Sequence, residues 1–209
     1  MGMPVLIYGK SGSGKSRSLK FFGSEEILLI NIEGKNLPFK NSFKYECRTD
    51  SIDVIIDQIN KMPCKTAVLD DAGYLMTHHF MNNHRNKKGN ASFDMYDDIA
   101  DNMYFLVQRI KTQVPDDVIV YIMLHEDTND FGDTKIKTIG KLIDNKVCLE
   151  GMVTVCIRCM SDNGKHFFRT QTDGFDITKT PEDMFEDAEI DNNLKFVDDT
   201  IREFYGWEG

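Results

Sequence analysis

The 209-residue sequence lacks any uninterrupted run of about 18 apolar residues, so its hydropathy predicts no membrane-spanning helix. It has only five cysteines, an odd number, and its first residues lead straight into an apolar, strand-like stretch without the pattern of a signal peptide. These absences predict reduced thiols, a cytoplasmic location and no membrane partner.

Acidic residues are in excess, with a formal net charge of −9, but they are not spread evenly. Residues 173–209 hold 12 acidic and three basic residues, whereas the rest of the chain holds 22 of each. The acidity therefore belongs to the C-terminal segment and does not argue against nucleic-acid binding by the neutral remainder. Two interpretations of this segment stay open: a solvated surface, or a tail that competes with DNA for a basic groove.

Residues 9–16 read Gly-Lys-Ser-Gly-Ser-Gly-Lys-Ser and match the phosphate-binding motif G-x-x-x-x-G-K-[ST]. An apolar run, 5–8, precedes the motif, and a helix-compatible stretch, 16–22, follows it, as the motif requires. We expect Lys15 to reach the β- and γ-phosphates and the Ser16 hydroxyl to bind Mg²⁺. The sequence thus predicts a nucleoside triphosphate site. Its candidate residues are Gly9, Lys10, Ser11, Gly12, Ser13, Gly14, Lys15, Ser16 and Arg17.

Apolar stretches of strand length alternate with stretches of helical periodicity along the first two thirds of the chain. With the phosphate motif, this alternation predicts an α/β fold of the P-loop NTPase class, with a mostly parallel sheet flanked by helices; the resemblance described below implies that this sheet is RecA-like. Strands are predicted at 5–8, 27–32, 67–69 and 118–124, and helices at 52–59 and 95–110.

The last third of the sequence changes character. Asn163-Gly164 predicts a β-hairpin, and Thr180-Pro181 predicts the start of a helix. Apolar residues at helical spacing over 194–204 predict an amphipathic final helix. We therefore expect an ATPase domain over residues 1–180 and an acidic helical tail over residues 181–209.

Carboxylates follow two of the predicted strands. Asp70 comes directly after the strand 67–69, where a second Mg²⁺ ligand beside Ser16 is required. Hydrolysis also needs a group that orients or deprotonates the attacking water. Glu33 is the preferred candidate, because its side chain reaches one methylene further than that of Asp71. Asp71 stays open as the alternative.

The order of the phosphate motif, Glu33, Asp70 and the pair His125-Glu126 resembles the core of RecA-like ATPases. More closely, residues 3–180 resemble phage-encoded RecA-like ATPases described as nucleotide-binding or single-strand-annealing recombination proteins. The resemblance implies ATP and Mg²⁺ as cofactors, a homo-oligomer and the cytoplasm of a bacterial host cell. It also implies three roles: Glu33 activates water, His125 senses the γ-phosphate, and Lys179 acts on the ATP of a neighbouring subunit.

The same resemblance implies that two segments, 78–90 and 127–141, bind single-stranded DNA. The first has no acidic residue, and it combines basic side chains for phosphates with an aromatic ring for stacking. The second is weaker, since it also carries three acids. An ordinary surface loop is the alternative for each. The candidate contacts are Phe80, Arg85, Lys87 and Lys88 in the first segment and Phe131, Lys135 and Lys137 in the second.

These features favour a Mg²⁺-dependent ATPase of DNA recombination or single-strand annealing, working as an oligomer and with other phage recombination or replication proteins. One alternative is a P-loop kinase, but its arginine-rich lid is hard to build from seven scattered arginines. Another is a nucleotide-controlled loader of a replication protein. The sequence lacks a convincing Asn-Lys-x-Asp motif for guanine, and no residue identifies itself as a contact of the base, so the choice of nucleotide stays open.

Overall fold

The computed structural model describes residues 1–40, 42–86 and 90–207, which form helices around one nine-stranded sheet. The strands are β1 Met3–Gly9, β2 Ile27–Asn31, β3 Tyr45–Cys47, β4 Thr66–Asp70, β5 Ile119–Thr128, β6 Thr134–Ile136, β7 Val155–Asp162, β8 Lys165–Arg169 and β9 Glu189–Asp191. The α-helices are α1 Ile52–Lys61, α2 Tyr74–Asn83, α3 Asn90–Gln113, α4 Lys141–Asp144 and α5 Leu194–Tyr205. Short 3-10 helices span Ser16–Phe21, His84–Asn86 and Glu150–Met152.

The strand order is β3-β2-β4-β5-β1-β7-β8-β9, with β6 paired to β5. Strands β3, β2, β4, β5, β1 and β7 run parallel to one another. Strands β6, β8 and β9 are antiparallel to the strands that they pair with. Gly9 pairs with His125 and Asn31 with Asp70, so the carboxyl ends of these strands meet at one edge. Ligands of parallel α/β sheets bind at this edge. The predicted α/β class, mostly parallel sheet and hairpin are confirmed.

The central strands are buried on both faces, which explains why they read as nearly continuous apolar runs. In β1, Leu6 and Tyr8 pack in the core beneath α1, α2 and α3, whereas Val5 and Ile7 pack in the core beneath α5 and the first 3-10 helix. The predicted apolar face of α3 is confirmed, since all its members are buried. They are Met95, Ile99, Met103, Leu106 and Ile110.

Helix α5 packs on the core that contains Val5 and Ile7. Hydrogen bonds between buried polar groups also attach this helix to the sheet. Arg202 Nε donates to Asp198 Oδ2 at 2.8 Å, and Thr66 Oγ1 in β4 donates to Asp198 Oδ1 at 2.9 Å. Burial raises the pKa of Asp198, and its basic and hydroxyl partners oppose that effect. The helix and β9 therefore share the sheet and core of the preceding residues. Within the described residues, no helix has the length and apolar character to span a bilayer.

The helix predicted at Thr180-Pro181 is wrong. The chain makes a single turn there, with Met184 N donating to Pro181 O at 3.4 Å, and Asp183 has the left-handed φ of 63°. The chain then forms β9, because the outer edge of β8 offers backbone groups that need hydrogen-bond partners.

Both segments predicted to bind DNA contain regular structure. Residues 78–83 continue α2, which is anchored by the buried side chains of Leu75 and Met76 and is otherwise polar. Its short apolar anchor leaves little helical periodicity to detect. In the second segment, residues 127 and 128 of β5 pair with residues 134 and 135 of β6 in an antiparallel hairpin.

Candidate functional site

The phosphate motif forms a tight loop between β1 and the first 3-10 helix. Gly12 and Gly14 adopt φ values of 79° and 108°, which side chains rarely allow. The side chain of Lys15 lies beneath the loop with only 6% of its surface exposed. Its Nζ donates to Gly9 O at 2.8 Å and to Lys10 O at 3.0 Å. Burial lowers the pKa of this ammonium group, which remains close to the loop where phosphates are expected.

Ser16 and Asp70 meet beside the loop, as the motif spacing predicts. Ser16 Oγ donates to Asp70 Oδ1 at 2.9 Å, and no basic side chain of the described residues forms an ion pair with Asp70. Burial, and secondly the charge of Asp71, raises the pKa of Asp70 to about 6. A buried carboxylate of this kind is commonly paired with a metal ion.

This donor set fits Mg²⁺, which takes one or two carboxylates and completes its shell with phosphates and water. Within the ranges 1–40, 42–86 and 90–207, no cluster of three or more His, Cys, Asp or Glu side chains could hold a metal by itself. A metal ion held by Ser16 and Asp70 would therefore depend on the nucleotide for further ligands.

Asp71 directly follows Asp70 and lines the pocket beside the phosphate loop. It adopts a left-handed conformation, with φ 56°. Its Oδ2 accepts from Lys35 Nζ at 2.8 Å, and its Oδ1 lies 3.3 Å from His125 Nε2. The hydrogen bond from His125, together with Lys35, lowers the pKa of Asp71 to about 2. His125 Nδ1 lies 3.4 Å from Lys15 Nζ. His125 therefore connects the phosphate-loop lysine to the second carboxylate.

Glu33 lies apart from these groups and contacts helix α2. Its Oε2 is 3.0 Å from His78 Nε2, and Asp50 Oδ2 is 3.1 Å from Nδ1 of the same ring. The ring of His78 therefore lies between the two carboxylates. The structure thus brings Asp71, rather than Glu33, to the lining of the pocket.

The pocket at the loop has a volume of about 360 Å³. It reaches from Asp71, directly after β4, across the phosphate loop to His166 in the hairpin formed by β7 and β8. Its lining residues are Ser11, Gly12, Gly14, Lys15, Ser16, Arg17, Lys35, Pro38, Asp71, His125 and His166.

Sequence reasoning missed the contacts that β7, β8 and β9 make with the loop. His166 Nδ1 lies 2.8 Å from Ser13 O, and the buried Cys159 Sγ donates to the same carbonyl at 3.3 Å. Burial raises the pKa of Cys159 to about 11, which keeps the thiol protonated as a donor. Asn192, directly after β9, donates to Cys159 Sγ and accepts from Arg17 NH1. No motif marks these residues, because only the pairing of the hairpin brings them to the loop.

Two of the candidate DNA contacts of the first segment, Phe80 and Arg85, lie within the described residues. Phe80 is only partly exposed and stacks on His84, with ring centroids 5.0 Å apart, and it also contacts Tyr96. Arg85 is exposed. Lys87 and Lys88 lie outside the described residues.

In the second segment, Phe131 lies between β5 and β6 and is 88% exposed. Lys135 forms an ion pair with Asp144, and Lys137 lines a small cavity next to His125. Lys179 forms a two-bond backbone bridge with Cys156 in β7 and does not line the phosphate-loop pocket of its own chain. A role on a neighbouring subunit stays a prediction.

This fold and this loop define a P-loop nucleotide site. A protein-family model, AAA_24, described as an AAA domain, matches residues 1–180. The chain therefore belongs to this AAA domain family, which indicates a P-loop NTPase that binds and hydrolyses a nucleotide. A search of curated proteins finds no match to the chain.

Proposed function

We propose that the chain is a Mg²⁺-dependent ATPase that acts as an oligomer on single-stranded DNA in recombination or strand annealing. The observation that supports the catalytic part most strongly is the 2.9 Å hydrogen bond between Ser16 Oγ and Asp70 Oδ1, beside a buried Lys15. These residue types at this spacing are the ones that hold Mg²⁺ and the terminal phosphates in P-loop NTPases.

The residues of the loop bind and orient the triphosphate. The backbone N–H groups of the glycine-rich loop and the ammonium group of Lys15 bind phosphate oxygens, and Ser16 and Asp70 hold the metal ion. When bound, Mg²⁺ neutralises charge on the phosphates. Positioning and charge stabilisation supply most of the rate in this kind of reaction.

We assign the orientation of the attacking water to Asp71. Its carboxylate lines the pocket, whereas Glu33 is bound to His78 on helix α2. Lys35 and His125 fix the carboxylate of Asp71 from two sides, which suits a group that aligns a water molecule. His125 also contacts Lys15, so loss of the γ-phosphate can be transmitted to the segment after β5.

The DNA-binding part of the proposal is supported by three features. It depends on the resemblance to recombination ATPases, on the exposed ring of Phe131 and on the exposed guanidinium of Arg85. Aromatic rings and basic groups are the usual contacts of single strands.

The test is steady-state ATP hydrolysis with and without single-stranded DNA at low salt, where phosphate contacts are strongest. We expect hydrolysis to rise on addition of DNA and to be lost in Lys15→Ala. Hydrolysis that requires Lys15 but ignores DNA would contradict the DNA part and favour the loader. Production of ADP only with an added phosphate acceptor would favour the kinase.

A further inference from the structure

The phosphate loop has a second neighbour, on the side of β1 opposite to Asp70. In the sheet order, β5 and β4 lie on one side of β1, and β7, β8 and β9 lie on the other. A methyl group added to Gly14 would come within 2.9 Å of His166 Nδ1 and 3.1 Å of Asn192 Oδ1. The hairpin side is therefore in direct contact with the loop.

His166 presents a free acceptor on this side. Its Nδ1 must donate to Ser13 O, since a carbonyl oxygen only accepts. In the neutral ring the second nitrogen, Nε2, is then an acceptor. No residue in the described part of the chain forms a hydrogen bond with Nε2, and the side chain lines the pocket.

Arg17 lines the same end of the pocket. Its NH1 donates to Asn192 Oδ1 at 3.1 Å, and no carboxylate among the described residues neutralises its charge. The acidic groups of the pocket stand at the other end, where Lys35 and His125 bind Asp71. One end of the cavity thus carries the groups for a metal ion, and the other carries an unpaired cation and a neutral acceptor.

The site of the terminal phosphates fixes the direction in which a nucleoside triphosphate lies in this cavity. Ser16, Asp70 and Lys15 fix its terminal phosphates and metal ion on the β4 side. The phosphate chain then follows the loop, and the nucleoside lies beyond it. The remaining end of the pocket is the one that His166 and Arg17 line.

We propose that the nucleoside half of the triphosphate binds against His166 and Arg17, with His166 Nε2 accepting a hydrogen bond from a ribose hydroxyl or from the amino group of the base. This inference depends on the proposed nucleotide site. It assigns the sugar-and-base end of that site to the C-terminal hairpin.

The test compares ATP with inorganic tripolyphosphate, which has the phosphates but no nucleoside, by calorimetric titration in Mg²⁺. His166→Asn keeps an amide near the Nδ1 position for Ser13 O and removes the Nε2 acceptor. We expect this variant to bind ATP about fivefold more weakly, as for one lost hydrogen bond, and tripolyphosphate as tightly as the parent chain. The matched variant His166→Gln keeps a polar atom near Nε2 but loses the bond to Ser13, so both ligands should weaken together.

Two analogues identify the group that donates to Nε2. The effect of His166→Asn should disappear with dideoxy-ATP if a ribose hydroxyl donates, or with purine riboside triphosphate if the amino group donates. An effect that persists with both analogues, equal weakening of ATP and tripolyphosphate in His166→Asn, or no weakening of either, would overturn the inference. The Lys15→Ala variant distinguishes failure of this inference from failure of the proposed nucleotide site. If this variant binds ATP as tightly as the parent chain, the nucleotide site itself is misplaced.

Discussion

The two sides of the phosphate loop are built from different chemistry. On the β4–β5 side, the loop faces the carboxylates of Asp70 and Asp71, and Lys35 and His125 bind Asp71. On the β7–β9 side, its backbone accepts hydrogen bonds from the thiol of Cys159 and the ring of His166. Charged groups suit a metal ion and developing phosphate charge, and neutral donors fix the shape of a backbone. Changes on the first side should therefore reduce the rate, and changes on the second should reduce affinity.

A large effect expected on the β4–β5 side distinguishes the two carboxylates that are candidates for orienting the attacking water. Asp71→Asn keeps the shape of the side chain but removes the charge that lines the pocket. We expect hydrolysis to fall by about 100-fold, the range for removal of a group that acts on the attacking water. Glu33→Gln should change the rate by less than about threefold, because Glu33 contacts α2 rather than the pocket. Rates of phosphate release measure both, and the opposite ranking would return the role to Glu33.

A smaller effect tests the hairpin side through two glycines of the same loop. Gly14→Ala places a methyl group against His166 and Asn192 at a φ of 108°. We expect ATP affinity to fall by about 30-fold, from backbone strain and displacement of the hairpin together. Gly12→Ala is the control, because its φ is also positive at 79° but, apart from its chain neighbours, no described residue lies within 4 Å of the added methyl.

The Gly12→Ala variant should lose about fivefold, from strain alone. Nucleotide titration of both variants measures the difference. Equal losses would mean that contact with the hairpin does not shape the loop.

Local patterns were sufficient for the β4–β5 side of the site. The phosphate motif lies in one uninterrupted stretch, and Asp70 is marked by the buried strand that it ends. The register of that strand in the sheet then places Asp70 within hydrogen-bond distance of Ser16. Strand periodicity and motif spacing therefore predict the loop and Asp70, whereas no motif marks Lys35.

The hairpin side could not be predicted, because its contacts depend on pairing between distant segments. His166 contacts Ser13 across 153 positions, and Asn192 reaches Cys159 across 33. The helix predicted at Pro181 was wrong for a related reason. Local capping preferences favour a helix there, but the free edge of β8 supplies partners for a strand.

The polar helix α2 shows a third limit. Its residues 78–83 were expected as a loop, because helical periodicity is weak where only Leu75 and Met76 are buried. The contact of Glu33 with His78 was missed for the same reason, because His78 lies on that helix. A carboxylate at a strand end can point to the ligand or to a neighbouring element, and the sequence does not distinguish them.

The account is tested most directly by the Mg²⁺ dependence of ATP hydrolysis in the parent chain and in Asp70→Asn. This variant keeps an acceptor for Ser16 but removes the buried carboxylate charge. We predict that hydrolysis by the parent chain requires Mg²⁺ and that the variant is slower by about 100-fold or more at saturating ATP. The exposed Asp57→Asn, which affects only a surface ion pair, should match the parent chain. Hydrolysis in Asp70→Asn at the parental rate, with the same Mg²⁺ requirement, would contradict the account.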